Sequence, residues 1–230
     1  VALGAGVEYE SAYDGSDEYE FELDPAGAVQ YRSGNDLYFW EGFELGWRGL
    51  RDRDWLLQAG IRREGGLEAD DSEDGKLDGL PDRDSYTVGF FEARYALDEN
   101  WRNWIGGRLM GGPEDFGWLG VMAAGHRYGD QTDGTGSEIF VFITLGNQEF
   151  INKDFGISVA DAAASGLNPI SLDSGYRSLG LSYVNRQELS DNLHMLIQAG
   201  LESYSDDIRK SDIAEADFEA ELGVSLIWQF

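Results

Sequence analysis

The chain has 230 residues with 44 acidic against 17 basic side chains, a formal charge of −27. That balance argues against a nucleic-acid partner, whose phosphates would repel it; it fits acidic surface loops or a surface that attracts divalent cations. Cysteine is absent, no apolar run reaches the length of a transmembrane helix, and 31 glycines, 30 aromatics and only four prolines favour β structure.

Val1, Leu3, Ala5, Val7 and Tyr9 alternate with small or polar residues, so the chain opens directly on a strand, as expected of a mature, processed protein. Tyr19, Phe21 and Leu23 alternate with Glu18, Glu20 and Glu22, and after Asp24-Pro25 the pattern resumes from Ala28 to Arg32. Ser33-Gly34-Asn35-Asp36 is a tight hairpin signal. Strands are expected over Leu37 to Trp47, from Trp55 to Arg62, and, after a long acidic loop at 64–84, over Thr87 to Leu97. Trp101 to Met110, Phe116 to Tyr128 and Ser137 to Gly146 follow. The pattern breaks from Gln148 to Leu172, where Val159 to Ala164 reads as a short helix with Ser158 as N-cap and Gly166 just past its end. Strands return over Asp173 to Arg186, Leu193 to Tyr204 and Phe218 to Phe230.

The last of these is the clearest. Phe218, Ala220, Leu222, Val224, Leu226, Trp228 and Phe230 form an unbroken apolar file at every second position, and the chain stops on an aromatic. Short turns at 50–55, 97–101 and 189–193 alternate with long connections at 64–84, 148–172 and 204–217, the asymmetry of an outer-membrane barrel with short periplasmic turns and long outer loops. The fold class is therefore an all-β, antiparallel, up-and-down transmembrane barrel filling one domain, 1–230. Termini on one side require an even strand count. A turn at Asp24-Pro25 gives twelve strands; without two spanning segments there, ten.

If the apolar file faces lipid, Glu44, Arg62, Glu64, Phe90, Glu92, Arg94, Trp104, Arg108, His126, Glu202, Glu219 and Glu221 point inward and fill a narrow lumen. Trp47, Trp55, Trp101, Tyr128, Trp228 and Phe230 sit where an interfacial girdle lies. The acidic loop holds one metal candidate: Asp70, Ser72, Asp74 and Asp78 have part of the spacing of a calcium loop, with Gly75 for the turn, but Pro81 stands where the closing carboxylate belongs. His126 with Glu92 or Asp115 is the one conceivable acid–base group, and no nucleophile motif supports it, so no enzyme is expected. His194 reads as interfacial.

Several segments resemble the MipA/OmpV family of outer-membrane proteins. Tyr13-Asp14-Gly15-Ser16-Asp17-Glu18-Tyr19 is similar to the family's Tyr-x-Gly-Ser-Asp start, Tyr31 to Phe39 to its Tyr-Arg-x-Gly-Asp hairpin, and Gly79-Leu80 before Asp82 to its Gly-Leu-acidic segment. Phe155-Gly156-Ile157-Ser158, Ala162 and Ser165-Gly166-Leu167 match its Phe-Gly-Val-Ser…Ala…Ser-Gly-Leu stretch, while Asp154 replaces a tyrosine and Asn168-Pro169 departs from a Pro-aromatic ending. The resemblance implies a non-enzymatic barrel in the outer membrane, in contact with membrane lipid and lipopolysaccharide. It also implies a scaffold joining a murein lytic transglycosylase to a penicillin-binding synthase, or alternatively an adhesin or narrow small-solute channel. It supplies no catalytic residues.

Overall fold

The computed structural model describes residues 1–24, 27–51, 53–72, 75–113, 115–129 and 135–230. Its strands are β1 (Ala2–Ser11), β2 (Tyr19–Asp24), β3 (Gly27–Ser33), β4 (Asp36–Glu41), β5 (Glu44–Arg51), β6 (Trp55–Glu64) and β7 (Tyr86–Ala96), then β8 (Asn103–Gly111), β9 (Trp118–Tyr128), β10 (Gly136–Gly146), β11 (Gly175–Ser190), β12 (Leu193–Tyr204) and β13 (Phe218–Gln229). Neighbours pair antiparallel around one sheet, and β13 returns to β1 with Ala2 opposite Gln229 and Tyr9 opposite Leu222. Closure leaves no free edge at the seam between the first and last strands, which is what a sheet in hydrocarbon requires.

The two-residue rhythm sets the faces. Leu222, Val224, Leu226 and Trp228 are exposed, while Gly223 and Ser225 between them are buried. The same holds for Phe91 against Phe90 and Glu92, and for Leu109 against Met110. An apolar surface that runs around the whole cylinder is a lipid-facing one.

The wall has twelve staves, but not for the reason the sequence suggests. β2 and β3 are both antiparallel to β1, and Gly6↔Asp24 and Leu3↔Gly27 keep one register, so they are successive parts of a single stave. Asp24-Pro25 is therefore not a turn between two staves, although Pro25 itself lies outside the described residues. The additional turn falls inside the expected strand Leu37 to Trp47, at Gly42, whose φ of +54° suits glycine; Glu41 and Glu44 close the hairpin. The ten-strand alternative is excluded by the same pairing. β4 ends opposite Ala28, so the second edge of β2 has no strand partner among the described residues. Phe21 and Leu23 on β2 are accordingly 75% and 79% exposed, against 53% for Leu222 in a fully flanked strand.

The tight turns after β3, β7 and β11 share one end of the cylinder with the paired chain ends, as do the connections after β5 and β9. The long connections share the other end and fold into a cap. It contains α1 (Gln148–Phe155) and α2 (Val159–Ser165). Ser158 and Asp161 form a reciprocal capping box on α2, and Gly166 ends it at φ +82°, as the sequence predicts. Helix α1 is not anticipated; Asn147 caps it, accepting from the Phe150 amide at 3.2 Å, and it buries Phe150, Ile151 and Phe155. Most of the best-buried apolar side chains among the described residues lie in this cap. Leu77, Phe116, Phe155, Ile208 and Ile213, each from a loop-end connection or short helix, are almost fully enclosed. The long loops therefore have a core of their own, set against barrel residues such as Val88 and Tyr204.

Candidate functional sites: the capped lumen and the turn face

Alternation on β5 to β10 places charged residues inside the wall, where no water-rich surface solvates them fully. They solve this by pairing in sequence. Glu64 forms an ion pair with Arg62 at 2.5 Å; Arg62 reaches Glu44 at 3.2 Å; Glu44 accepts from Arg108 at 2.7 Å; Arg108 reaches Glu92 at 2.8 Å. Glu92 accepts from Arg94 at 2.5 Å, Arg94 lies 3.6 Å from Glu138, and Glu138 accepts from Arg127 at 2.6 Å. Four carboxylates and four guanidiniums thus alternate across six strands as one chain of charge. Guanidiniums also cover the inward aromatics: Arg48 lies over Phe39 at 4.9 Å, Arg108 over Phe90 at 4.6 Å and Arg94 over Trp104 at 4.6 Å.

The opposite wall is different. Glu10 on β1, Glu20 and Glu22 on β2, Glu202 on β12 and Glu219 and Glu221 on β13 line a cavity of about 540 Å³ that α1 partly roofs with Phe150, Lys153 and Asp154. The lumen is therefore divided, charge-balanced on one side and acidic on the other. At the loop end of this chamber Arg177, only 7% exposed, reaches Asp14 at 2.5 Å and Glu202 at 3.0 Å, and lies over the rings of Tyr204 and Phe155 at 5.2 and 5.4 Å. Tyr204 donates to Glu219 at 2.8 Å, and the Gly15 amide donates to the same carboxylate. These contacts anchor the β1–β2 connection and α1 to the barrel mouth.

Backbone acceptors at the end of α1 are met by Arg83 from the acidic loop. Its guanidinium donates to the carbonyls of Asn152 at 3.4 Å, of Lys153, and of Gly156 at 2.8 Å. The Asn152 carbonyl also accepts the Gly156 amide at 3.0 Å, so Arg83 there reinforces the bond that closes the helix. Burial pushes Arg83 below the usual arginine range, and burial pushes the Asp154 carboxyl up although Lys153 is beside it. Asn152 exchanges two bonds with Leu172, at 2.6 and 2.8 Å, and Ser211 donates to the Phe155 carbonyl at 2.6 Å. Four separate connections are stitched into one cap.

The turn face carries one preformed feature. Asp98 accepts from the backbone amides of Asn100, Arg102 and Asn103 at 3.1, 3.0 and 2.7 Å, and the Arg102 amide above all holds its carboxyl below the usual range. The turn forces Trp101 to φ +55°, and it is the one non-glycine residue at positive φ among the described residues. Its indole Nε1 donates to the Arg53 carbonyl at 2.9 Å, joining two neighbouring turns.

The inward assignment holds for Glu44, Arg62, Glu64, Phe90, Glu92, Arg94, Trp104, Arg108, Glu202, Glu219 and Glu221. His126 is a correction. It shares the outward face with Met122 and Tyr128, its ring is 4.4 Å from that of Tyr128, and its Nδ1 is 2.7 Å from Asn103 Oδ1. Arg127 takes the inward place. Glu92 belongs to the lumen and Asp115 to the loop end, so no His126 acid–base group is assembled. His194 is at the turn end as expected but pairs with Ile227 on the inward face, since its neighbour Leu193 pairs with outward Trp228. Trp55, Tyr128, Trp228 and Phe230 are exposed at the turn end, as a girdle requires, while Trp47 donates to Asp36 at 2.8 Å and Trp101 to Arg53. Of the four calcium-loop candidates, Asp74 lies outside the described residues and the side chain of Asp70 is not described. Ser72 Oγ accepts from the Lys76 amide at 2.8 Å, and Asp78 is exposed. No group of three or more His, Cys, Asp or Glu residues suited to a metal occurs among the described residues.

A closed twelve-stave cylinder with an apolar outside, a charged inside, short turns at one end and a loop cap at the other defines an outer-membrane β-barrel. The chain belongs to the MipA family: the family model described as MltA-interacting protein MipA matches residues 3–230. A solved structure titled "Bacterial polysaccharide outer membrane secretin" is similar in fold, with a TM-score of 0.51 at 10% identity, covering 100% of this chain and 98% of the other. The structure titled "KdgM porin" is similar at a TM-score of 0.48 and 8% identity, covering 100% and 99%. Among curated proteins none matches the chain. Two of the residues that depart from the family pattern make contacts of their own: Asn168 donates twice to Asp212, at 2.7 and 2.8 Å, and Asp154 pairs with Lys153.

Proposed function

We propose that this barrel is a non-enzymatic scaffold whose turn face, facing the periplasm, engages a murein lytic transglycosylase and a penicillin-binding synthase. The family description, an MltA-interacting protein, supports the murein link. The observation that carries the reading is the turn at Asp98, where a fixed hydrogen-bond set and a left-handed Trp101 hold two adjacent turns in one shape. Backbone strain of this kind, worth about 1–3 kcal/mol, persists where surrounding structure enforces it and concentrates at binding sites. The cap favours the same reading over a channel, because a lumen roofed by a packed core serves presentation better than passage. The test is capture of purified lytic transglycosylase by the barrel immobilised in detergent. Wild type retains the enzyme, and Trp101→Gly, which relieves the strain and removes the indole bridge, retains markedly less. Equal retention by both, or none by wild type, overturns the proposal.

A further inference from the structure

We propose that the free edge of β2 receives an extended segment of another protein, which alternates basic with apolar side chains and pairs there as a further strand. The register marks the place. The β3–β4 ladder ends at Ala28↔Glu41, and the β4–β5 hairpin turns back at Gly42. On the far side the Arg63 amide donates to the Phe43 carbonyl at 3.2 Å, and the β5–β6 ladder ends one residue lower, at Glu44↔Arg62. Two staves thus stop part-way up the wall, while β2 continues beside β1 from Gly6↔Asp24 to Ser11↔Tyr19. The result is a notch in the loop-end half of the cylinder. One side is β2, the other is the end of β6, and the hairpin tip is its floor. Half of the backbone donors and acceptors of β2, along about 20 Å, point into it with no strand partner among the described residues. Beside hydrocarbon such groups are costly to leave open, and an added strand satisfies them.

The two faces of the edge specify the segment. Outward, Phe21 and Leu23 on β2 and Phe43 at the hairpin tip are 75%, 79% and 72% exposed, so every second residue of the segment is apolar and covers them. Inward, Glu20 and Glu22 line the acidic chamber. The carboxylates on the other sides of the notch are matched: Glu41 by Arg48, Glu44 by Arg62 and Arg108, and Glu64 by Arg62. Glu20 and Glu22 have no ion pair among the described residues, so lysine or arginine at the intervening positions completes the pattern of the opposite wall. A second copy of this chain is the wrong occupant, because pairing β2 with itself sets acid against acid at Glu20 and Glu22.

The test uses the full-length chain in lipid nanodiscs and a fluorescent synthetic peptide of about eight residues that alternates lysine with valine. Anisotropy reads affinity, and amide hydrogen exchange reads the place of binding. Wild type is expected to bind the peptide and to slow exchange over 19–24, with 193–204 unchanged. The same peptide N-methylated throughout keeps its charge, loses its backbone donors and binds about tenfold more weakly or not at all. Glu20→Gln combined with Glu22→Gln weakens binding about tenfold. Glu20→Lys combined with Glu22→Lys prefers a counterpart peptide that alternates glutamate with valine. Should these variants fold poorly, the N-methylated peptide on wild type decides alone. Undiminished binding of that peptide means attraction to the acidic chamber without strand pairing and overturns the proposal. So does equal affinity of wild type for the lysine and glutamate peptides, unchanged exchange over 19–24, or a dimer of the chain paired through β2.

Discussion

The Trp101 indole donates to the Arg53 carbonyl at 2.9 Å across a sequence separation of 48 residues, so the β5–β6 and β7–β8 turns move as one body. Breaking that bond with Trp101→Phe keeps an aromatic but removes the donor. Faster amide exchange over 97–103 is the expected outcome, with the barrel strands unchanged. A uniform increase across all strands would place the effect in global stability instead.

Acid should loosen the same turn in a defined window. The Asp98 carboxyl is held below its usual range, mainly by the Arg102 amide, so the ionised form stabilises the folded turn. That contribution is complete above the unfolded value of about 4 and is lost as pH falls through the lower folded value. Protection of the Asn100, Arg102 and Asn103 amides should thus be flat from neutral pH to about 4 and fall below it. Asp98→Asn should remove the acid dependence while retaining part of the hydrogen bonding. A change in protection near neutral pH would contradict this assignment.

Arg83 closes the end of α1 from a different loop. Arg83→Met takes a side-chain donor from three carbonyls, of which that of Asn152 keeps the Gly156 amide, and should destabilise the cap by about 1–3 kcal/mol. Protease should then cut within 148–172 while the trimmed barrel stays folded. Cutting at wild-type rates would mean that α1 is held by its apolar contacts alone.

Glu92 is the shared acceptor of Arg94 and Arg108 and is only 7% exposed. Glu92→Leu leaves two inward guanidiniums short of a partner and should cost about 3–5 kcal/mol of barrel stability. Combining it with Arg108→Met should recover part of the loss. Urea titration in lipid vesicles measures both, and additive losses would show that the charge chain is not coupled.

The second edge of β2 has no strand beside it among the described residues, so its amides should exchange faster than those of β1, which is flanked on both sides. Equal protection at Phe21 and Val7 would mean that some other segment covers that edge.

Much of the architecture was legible because period two is hard to imitate: the file from Phe218 to Phe230 admits one reading. The twelfth stave was hidden because Trp40-Glu41-Gly42-Phe43-Glu44 keeps its alternation through a tight turn, and Asp24-Pro25 offered a more obvious break that the register does not use. His126 was placed one residue out of phase because Ala123, Ala124 and Gly125 carry no facial signal, and a slip of one flips every side chain. Helix α2 announced itself through Ser158 and Gly166, whereas α1 is too short for periodicity and shows only Asn147 and the pair Ile151 and Phe155. Inward charges were readable residue by residue. Their linkage into one alternating chain was not, since it depends on which strands lie side by side.

Planar-bilayer recording of the purified barrel tests the account at its centre, the closure of the lumen by its own loops. The wild-type chain should give no reproducible single-channel steps, and Arg83→Met, with the cap loosened, should give intermittent ones. Stable steps of uniform size from wild type would show an open conduit and contradict the capped scaffold proposed above.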